Sequence, residues 1–407
     1  MNSTTSATAS DGDHSLVSLF WKGYDLSELQ WIGSKHLLIR LQPPCSATCS
    51  GCGQRSEKIH DQVQRRVRDC DMLDSMLTVE LPIRRVDCAH CGVAREQIDW
   101  LDKSARMTCR LISWIEQMCR ILPIKHVAER AGVSWHTVKR IDRRRLEREL
   151  PQVDYSSIRR LVMDEFALHK GHRYATVIAD ADTRQVLWIA EGRERASVRP
   201  FFKQLGTHCS QIEAVAMDQN SAFDLEVKAH CPNAEVVYDL FHIVSKYGRE
   251  VIDRVRVDQA NLLRADKPAR AVVKRSRWLL LKNRANLTED QQVKLEELIE
   301  GNKDLATVYI LKEQLKELWR ASSPREAYKL WKQWWTMAKQ SAIAPLIHFA
   351  RKLKPYLRGI LAATLHPLNT SVLEGMNNKI KVLKRMAYGY RDNSYFFLKI
   401  KHAFPGK

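Results

Sequence analysis

Two Cys-x-x-Cys pairs constrain this chain more than any other feature of its sequence. The first pair is Cys49 and Cys52, the second is Cys88 and Cys91, and the stretch between them alternates apolar and polar residues over 75–86. Alternation of this kind predicts strands that carry one pair to the other. Two such pairs place four thiolates around one tetrahedral ion, which predicts a closed zinc site with a structural role.

Other residues near the two pairs leave the exact ligand set open. Cys45 and Cys70 lie close in the sequence, and His60 or His90 could replace a thiolate. Disulfides are the weaker interpretation, because the N-terminus lacks the charged start and apolar core of a signal peptide. A chain that stays in a reducing compartment more often uses paired cysteines for metal.

The charge of the chain predicts a polyanionic partner. Among 407 residues, 66 Lys and Arg outweigh 47 Asp and Glu, which gives a formal net charge of +19. Nucleic acid is the expected partner, although a ribosomal or membrane-surface protein would share this charge. No apolar run reaches the roughly 18 residues that a membrane-spanning helix needs. We therefore expect a cytoplasmic, nucleoid-associated protein with no membrane partner.

Apolar residues at helical spacing follow the cysteine module and predict a helix-turn-helix. They recur over 107–122 and again over 127–141, with a break at Gly132 and with Ser134 placed to cap the next helix. In the DNA major groove this last helix would present basic side chains to phosphates and base edges. The alternative is an ordinary helical hairpin with a solvated basic face. The predicted DNA-binding residues of the helix are His136, Lys139, Arg140, Arg143 and Arg144.

From Pro151 the pattern changes to strands and then to alternating helices and strands. Three β-branched runs over 161–163, 174–179 and 186–190 predict consecutive antiparallel strands. Helices and strands alternate after them, as far as the strand and helix of "AEVVYDLFH". This order of elements is the one expected of a ribonuclease H-like α/β core.

Two carboxylates end apolar stretches in this predicted core. Asp164 ends "RLVMD" and Asp218 ends "AVAMD", and we expect them on neighbouring strands. Two such acids favour Mg²⁺ or Mn²⁺, and a pair of ions about 3.5–4 Å apart can drive displacement at a phosphodiester. Other acids after strands, such as Asp180, Asp182 and Asp239, are more simply explained as turn or cap residues.

Glu374 is the predicted third acid, on a helix that Asn369 or Thr370 would cap. The apolar side of this helix, Leu373, Met376, Ile380 and Leu383, would pack on the sheet. The neighbouring stripe would then face the site, with the acid at the metals and the basic residues on DNA phosphates. The alternative is a merely solvated basic helix. The residues of this stripe are Glu374, Asn378, Lys381 and Arg385.

The motifs "DEFALHKGHRYATVIAD", "YDLFHI" and "LEGMNNKIKVLKRMAYGYRD" resemble the DDE transposases of bacterial insertion sequences, in particular the ISL3 group. The resemblance implies that Asp164, Asp218 and Glu374 form the acidic triad. It also implies binding of terminal inverted repeats by the N-terminal modules, cleavage and strand transfer of double-stranded DNA, and a homodimer. Leu240 replaces the Arg that many relatives carry, which leaves Asp239 and His242 only as accessory candidates.

The predicted domain organisation has a helical insertion inside the core. Two alternatives remain on the sequence: a structure-specific nuclease of the same core, and a DNA-binding regulator derived from a transposase. Tryptophans of the insertion are expected in its apolar core: Trp278, Trp319, Trp331, Trp334 and Trp335. The predicted segments are a disordered tail 1–15, a zinc module 16–102, a helix-turn-helix domain 103–155, a first core part 156–256, an all-α insertion 257–367 and a final part 368–407.

Overall fold

The computed structural model describes residues 16–169, 171, 173–368 and 371–406. The predicted tail 1–15 and the capping candidates Asn369 and Thr370 lie outside these residues. The chain divides into two compact units. The first unit comprises the chain up to Glu149 together with Arg385–Leu398, and the second unit comprises Leu150–Lys384 together with the residues from Lys399 onward.

Helices and strands alternate in blocks along the chain. The helices are α1 (Leu16–Phe20), α2 (Cys109–Ile121), α3 (Ile124–Ala131), α4 (Trp135–Glu149), α5 (Arg195–Leu205), α6 (Ser221–His230), α7 (Leu240–Tyr247), α8 (Asp253–Leu262), α9 (Lys267–Arg275), α10 (Arg277–Leu281), α11 (Glu289–Glu300), α12 (Lys303–Glu317), α13 (Pro324–Gln340), α14 (Ala344–Leu353), α15 (Leu357–Ala362), α16 (Ser371–Met386) and α17 (Asn393–Ala403). The strands are β1 (Asp25–Trp31), β2 (His36–Gln42), β3 (Ala47–Thr48), β4 (Arg55–Ser56), β5 (Ile59–Met72), β6 (Ser75–Cys88), β7 (Gly92–Arg95), β8 (Arg160–His169), β9 (Arg173–Asp180), β10 (Val186–Glu191), β11 (Ala214–Met217) and β12 (Glu235–Tyr238). No helix of the described residues is long and apolar enough to cross a bilayer.

The first unit contains a sheet of order β1-β2-β6-β5, with β7 on β6. The alternating pattern predicted strands between the two cysteine pairs, and β5 and β6 form a long antiparallel hairpin there. Alternate residues of β6, such as Leu77 and Val79, are fully buried against Trp21 of the same core. The Trp21 indole donates a hydrogen bond to the buried carboxylate of Asp69, which also accepts from Thr108 at the start of α2. The sheet and the helices that follow it are thereby linked by a satisfied polar contact.

Helices α2, α3 and α4 form the predicted helix-turn-helix. Gly132 ends α3 in the left-handed region with φ of 63°, a conformation that glycine adopts at no steric cost. The Ser134 hydroxyl accepts a hydrogen bond from the Thr137 amide at 3.2 Å, so Ser134 caps α4 as predicted. Ile115, Val127 and Val138 are fully buried where the three helices pack together.

The second unit contains a sheet of order β10-β9-β8-β11-β12. Strands β8, β9 and β10 are antiparallel neighbours, whereas β8, β11 and β12 run parallel to one another. One prediction was wrong: the first strand does not end at Asp164. Strand β8 continues to His169, because the residues after Asp164 pair with β9 along its length.

The stretch 253–362 is helical, as predicted, and its apolar residues join the core of the sheet in one cluster. Trp331 and Trp334 are buried, but Trp278 is 65% exposed, so its prediction as a core residue was wrong. Helix α15 lies directly on β12. A methyl group at Gly359 would meet the Tyr238 ring at 2.5 Å, so glycine is needed for this close approach.

Candidate functional site

The four predicted zinc ligands form one cluster in the first unit. Cys49, Cys52, Cys88 and Cys91 bring their sulfur atoms within 4.8 Å of one another, and Cys52 Sγ lies 3.5 Å from Cys88 Sγ. The neighbouring sulfur atoms and burial raise the pKa of Cys91 to about 12. Four thiolates at this spacing therefore require a cation, and four sulfur ligands fit tetrahedral Zn²⁺.

The basic residues of α4 fall on two stripes with different surroundings. His136, Arg140 and Arg144 are exposed, at intervals of four residues. Lys139 and Arg143 are only partly exposed, because they bind residues that follow α16: Lys139 Nζ lies 2.6 Å from Asp392, and Arg143 donates to Ser394. The prediction that all five side chains are exposed was therefore wrong for Lys139 and Arg143.

The candidate acids of the second unit begin with Asp164. This residue is 8% exposed, and its carboxylate accepts hydrogen bonds from the Glu165 amide at 2.8 Å and from Asn377 Nδ2 at 2.6 Å. Burial raises its pKa to about 6, with a further contribution from Asp218. The sheet therefore holds this carboxylate where its ionised form is costly without a nearby cation.

Asp218 directly follows β11, beside Asp164. Strand β11 pairs in parallel with β8, with Ala216 opposite Val162, and the two acids lie two residues farther along each strand. Burial raises the pKa of Asp218, while His242 and Lys246 lower it.

The accessory candidates lie just after β12, at the start of α7. Asp239 caps α7 by accepting from the Phe241 amide at 2.7 Å. His242 Nε2 lies 3.7 Å from Asp239.

Helix α16 carries Glu374 in its first turn. Glu374 is exposed, as are Asn378, Lys381 and Arg385 of the same predicted stripe. Met376 and Ile380 are buried, as the apolar pattern predicted. Among the described residues, only the four cysteines bring three or more candidate ligand atoms within 4.8 Å of one another, so Glu374 does not join Asp164 and Asp218 in such a cluster.

Two residues near the acids were not found by sequence reasoning. Asn377, one turn beyond Glu374, is the residue of α16 that reaches Asp164. Glu165 lines a cavity of about 610 Å³ together with Asp218 and Arg193, and Arg193 Nη1 lies 3.3 Å from Glu165. The adjacent acid in "MDEF" was a usable signal for Glu165, whereas nothing in the pattern distinguished Asn377 from Asn378.

Three residues near these acids each carry a buried oxygen atom that lacks a hydrogen-bond partner in the part of the chain that the structure describes. The buried atoms are Asp218 Oδ1, Glu165 Oε2 and Asn377 Oδ1, and none has a hydrogen-bond partner among the described residues. Buried oxygens without partners are costly unless a cation or water satisfies them. Carboxylate and amide oxygens are also the ligands that Mg²⁺ and Mn²⁺ prefer.

Comparison with known protein families shows the class of protein to which this chain belongs. Residues 46–91 match the zinc finger of the transposases of IS204, IS1001, IS1096 and IS1165. Residues 96–146 match the helix-turn-helix domain of the ISL3 transposase family, and residues 161–400 match that family's DDE transposase domain. The protein is therefore a transposase with a zinc ribbon and a helix-turn-helix DNA-binding domain.

The chain belongs to the ISL3 family of transposases. It is 50% identical over 391 residues to the transposase for insertion sequence element IS1001 of Bordetella parapertussis, an alignment that covers 95% of this chain and 96% of the relative. It is 28% identical to the transposase for insertion sequence element IS1557 of Mycobacterium tuberculosis, over 84% of this chain and 82% of that relative.

Proposed function

We propose that this transposase cuts and joins DNA at the ends of its insertion sequence, with Asp164, Asp218 and Glu374 as its acidic triad. The observation that carries the proposal is the placement of Asp164 and Asp218 on neighbouring parallel strands, both with pKa values raised by burial. Perturbed carboxyl groups beside a cavity are typical of functional sites.

The proposal includes a ribonuclease H-like core. Numbered along the chain, the five strands of the second unit have the spatial order 3-2-1-4-5. The second strand, β9, is antiparallel to both of its neighbours, and the other pairings in the sheet are parallel. Helices connect the last three strands, as parallel pairing requires. This topology supports the fold expected from the order of elements in the sequence.

Asp164, Asp218 and Glu374 would hold two Mg²⁺ or Mn²⁺ ions, which when bound would activate the attacking oxygen and stabilise the leaving oxygen. Asp164 and Asp218 supply the buried carboxylates for them. Glu374 would supply the third carboxylate from α16, three residues ahead of Asn377, which is hydrogen-bonded to Asp164. Residues three apart on a helix share one side, so this contact supports the assignment of Glu374 as the third acid.

The proposed reaction has two in-line displacements at phosphorus. Water first attacks the phosphodiester at the element's end and breaks its bond to the 3′ oxygen, which leaves a 3′ hydroxyl and a 5′ phosphate. That 3′ hydroxyl then attacks a phosphodiester of the target, bonds to its phosphorus and releases the target's own 3′ hydroxyl. Lys381 and Arg385, both exposed, would contact the phosphate backbone and position it without reading sequence. Asp239 and His242 lie near Asp218 and remain proposed accessory residues.

Recognition of the ends is proposed for the N-terminal modules. The helix-turn-helix would bind double-stranded DNA of the terminal inverted repeats through the exposed stripe of α4, while the zinc ribbon would support its fold. Two ends must be brought together for transposition, and we propose that a homodimer does so at the nucleoid.

The test is cleavage and joining of labelled end DNA by the parent and by Asp218→Asn. The parent should cleave and join with Mg²⁺, and the variant should do neither while it binds the DNA as the parent does. Cleavage without joining would indicate a nuclease of the same core. Binding without cleavage by the parent would indicate a DNA-binding regulator. Loss of binding in Asp218→Asn would contradict the separate roles of the two units.

A further inference from the structure

The segment that follows α16 packs on the helix-turn-helix, 253 residues away in the sequence. We call residues 387–392 the C-terminal hook. Asp392 ends the hook and binds two cations of α4, with Lys139 Nζ at 2.6 Å and Arg143 Nη1 at 3.5 Å. Ser394, just beyond the hook, accepts a hydrogen bond from Arg143 at 2.6 Å. These contacts fix the base of the hook on α4.

Buried residues after the hook strengthen this attachment. Tyr395 and Phe396 are 2% and 1% exposed, and the Tyr395 hydroxyl donates a hydrogen bond to Asp142 of α4. Asp142 in turn pairs with the buried Arg145. A buried network in which each member has its partner specifies one arrangement, because breaking any one contact leaves a charge or hydroxyl unsatisfied.

The tip of the hook is exposed beside the helix-turn-helix. Tyr388 is 81% exposed with a φ of 54°, and Gly389 follows with a φ of 96°, so the chain turns sharply at this point. The edge of the Tyr388 ring meets His126 of α3, with 6.4 Å between ring centroids. Arg391 lies two residues beyond Gly389, is exposed and has no ion pair within the described part of the chain.

We propose that the C-terminal hook is a second DNA-contacting element that enlarges the surface of the helix-turn-helix. Arg391 would contact backbone phosphates, and Tyr388 would contact a sugar or base edge in the groove next to α4. Asp392 is a positioning residue: it neutralises Lys139 and Arg143, which places the hook and leaves the exposed stripe of α4 to meet the DNA. The inference rests on DNA binding by the helix-turn-helix.

The first test measures binding to a labelled duplex of about 40 base pairs, roughly four helical turns, taken from the end of the element. The Tyr388→Ala and Arg391→Ala double variant should bind about 10- to 100-fold more weakly than the parent, with a shallower dependence on salt. The matched control is Tyr328→Ala with Arg264→Ala, two exposed residues of the same types on the helical insertion. This control should bind like the parent.

An additional variant separates failure of the hook from failure of DNA recognition. Arg140→Ala removes a cation of the exposed stripe and should weaken binding whether or not the hook contacts DNA. If the hook variant binds like the parent while Arg140→Ala binds weakly, the proposal that the hook contacts DNA is overturned. Parent-like binding by both would also contradict recognition through α4. Unchanged zinc content and thermal midpoint show that the variants remain folded.

The role of Asp392 is tested by whether Asp392→Asn weakens or strengthens DNA binding. If Asp392 positions the hook, Asp392→Asn should weaken binding about tenfold, although the substitution makes the protein more basic. Lys139→Gln combined with Asp392→Asn should then cost little beyond the single change, because both remove one contact. Tighter binding by Asp392→Asn would overturn the proposal, since it would mean that Asp392 blocks Lys139 and Arg143 from DNA.

Discussion

Asn377 Nδ2 lies 2.6 Å from Asp164 Oδ2, and this hydrogen bond joins the helix that carries Glu374 to strand β8. The other oxygen of Asp164 accepts a hydrogen bond from the Glu165 amide, so both carboxylate oxygens are held in place. Asn377 Oδ1 is buried without a partner among the described residues. Asn377 therefore orients one acid of the site.

Asn377→Ala should reduce DNA cleavage about 10- to 100-fold, as loss of a residue that orients a metal ligand usually does. Asn378→Ala is the matched control, because Asn378 is the next residue of α16 and is exposed. Cleavage of labelled end DNA at saturating protein measures both. Equal rates for the two variants would show that the contact with Asp164 has no role in the reaction.

Asp164→Asn should stabilise the protein at neutral pH when no divalent cation is added. The pKa of Asp164 is about 6 in the folded protein and 3.8 as a free side chain, so the folded state retains its proton to higher pH. The free energy of unfolding should therefore fall as pH rises from about 4 to about 6, and Asn removes this loss, a gain of roughly 2 kcal/mol at pH 7.

Urea unfolding at a series of pH values measures this effect. The parent and Asp164→Asn should converge near pH 4 and separate toward pH 7. Added Mg²⁺ should stabilise the parent at pH 7 and have little effect on the variant. Curves that stay parallel across this range would contradict a carboxylate held at a cost for cation binding.

Glu226→Gln should destabilise the second unit by about 2 kcal/mol at pH 7, with allowance for the solvent exposure of its partners. Glu226 is fully buried, and Arg199 and Arg195 lower its pKa to about 2. Because this pKa is below the free value of 4.5, the stabilisation is present above pH 4.5 and is lost as pH falls toward 2. The difference between parent and variant in thermal unfolding should shrink over that range, and a constant difference would argue for packing alone.

Gly359→Ala should destabilise the protein by roughly 1–3 kcal/mol, because the added methyl group overlaps the Tyr238 ring. Gly375→Ala is the control within another helix, where an added methyl group meets nothing within 4 Å. That change should be neutral or stabilising by about 0.5–1 kcal/mol. Chemical denaturation of both variants measures the difference, and a similar effect of the two would contradict the close packing of α15 on β12.

Removal of zinc should unfold the ribbon of the first unit. Purified protein should contain about one zinc per chain, and Cys49→Ser should lower this content and the thermal midpoint. Metal analysis and circular dichroism during chelation are the measurements. A chelated protein with an unchanged spectrum and melting curve would show that the four cysteines do not depend on an ion.

Local patterns were sufficient for much of the fold. The Cys-x-x-Cys pairs, the apolar periodicity with Ser134 as a cap, and the acids after apolar runs each depend on residues near one another in sequence. The structure brings the four cysteines together and sets Asp164 beside Asp218.

Contacts between segments that are distant in the sequence could not be predicted from such local patterns. Lys139 and Arg143 look like free cations in the sequence, and only the tertiary structure pairs them with Asp392. In the same way, periodicity placed Asn378 on the stripe of Glu374, whereas the packing of α16 directs Asn377 to Asp164. The prediction that the strand ends at Asp164 failed because pairing with β9 extends it.

The most direct test of the account is transfer of a labelled, pre-cleaved end into plasmid DNA with Mg²⁺, by the parent and by Glu374→Gln. Glu297→Gln, a change at an exposed acid of the helical insertion, is the control. The parent and the control should join the end to the plasmid, whereas Glu374→Gln should bind the end normally and fail to join it. Joining by Glu374→Gln at the parent's rate would contradict the assignment of Glu374 as the third acid.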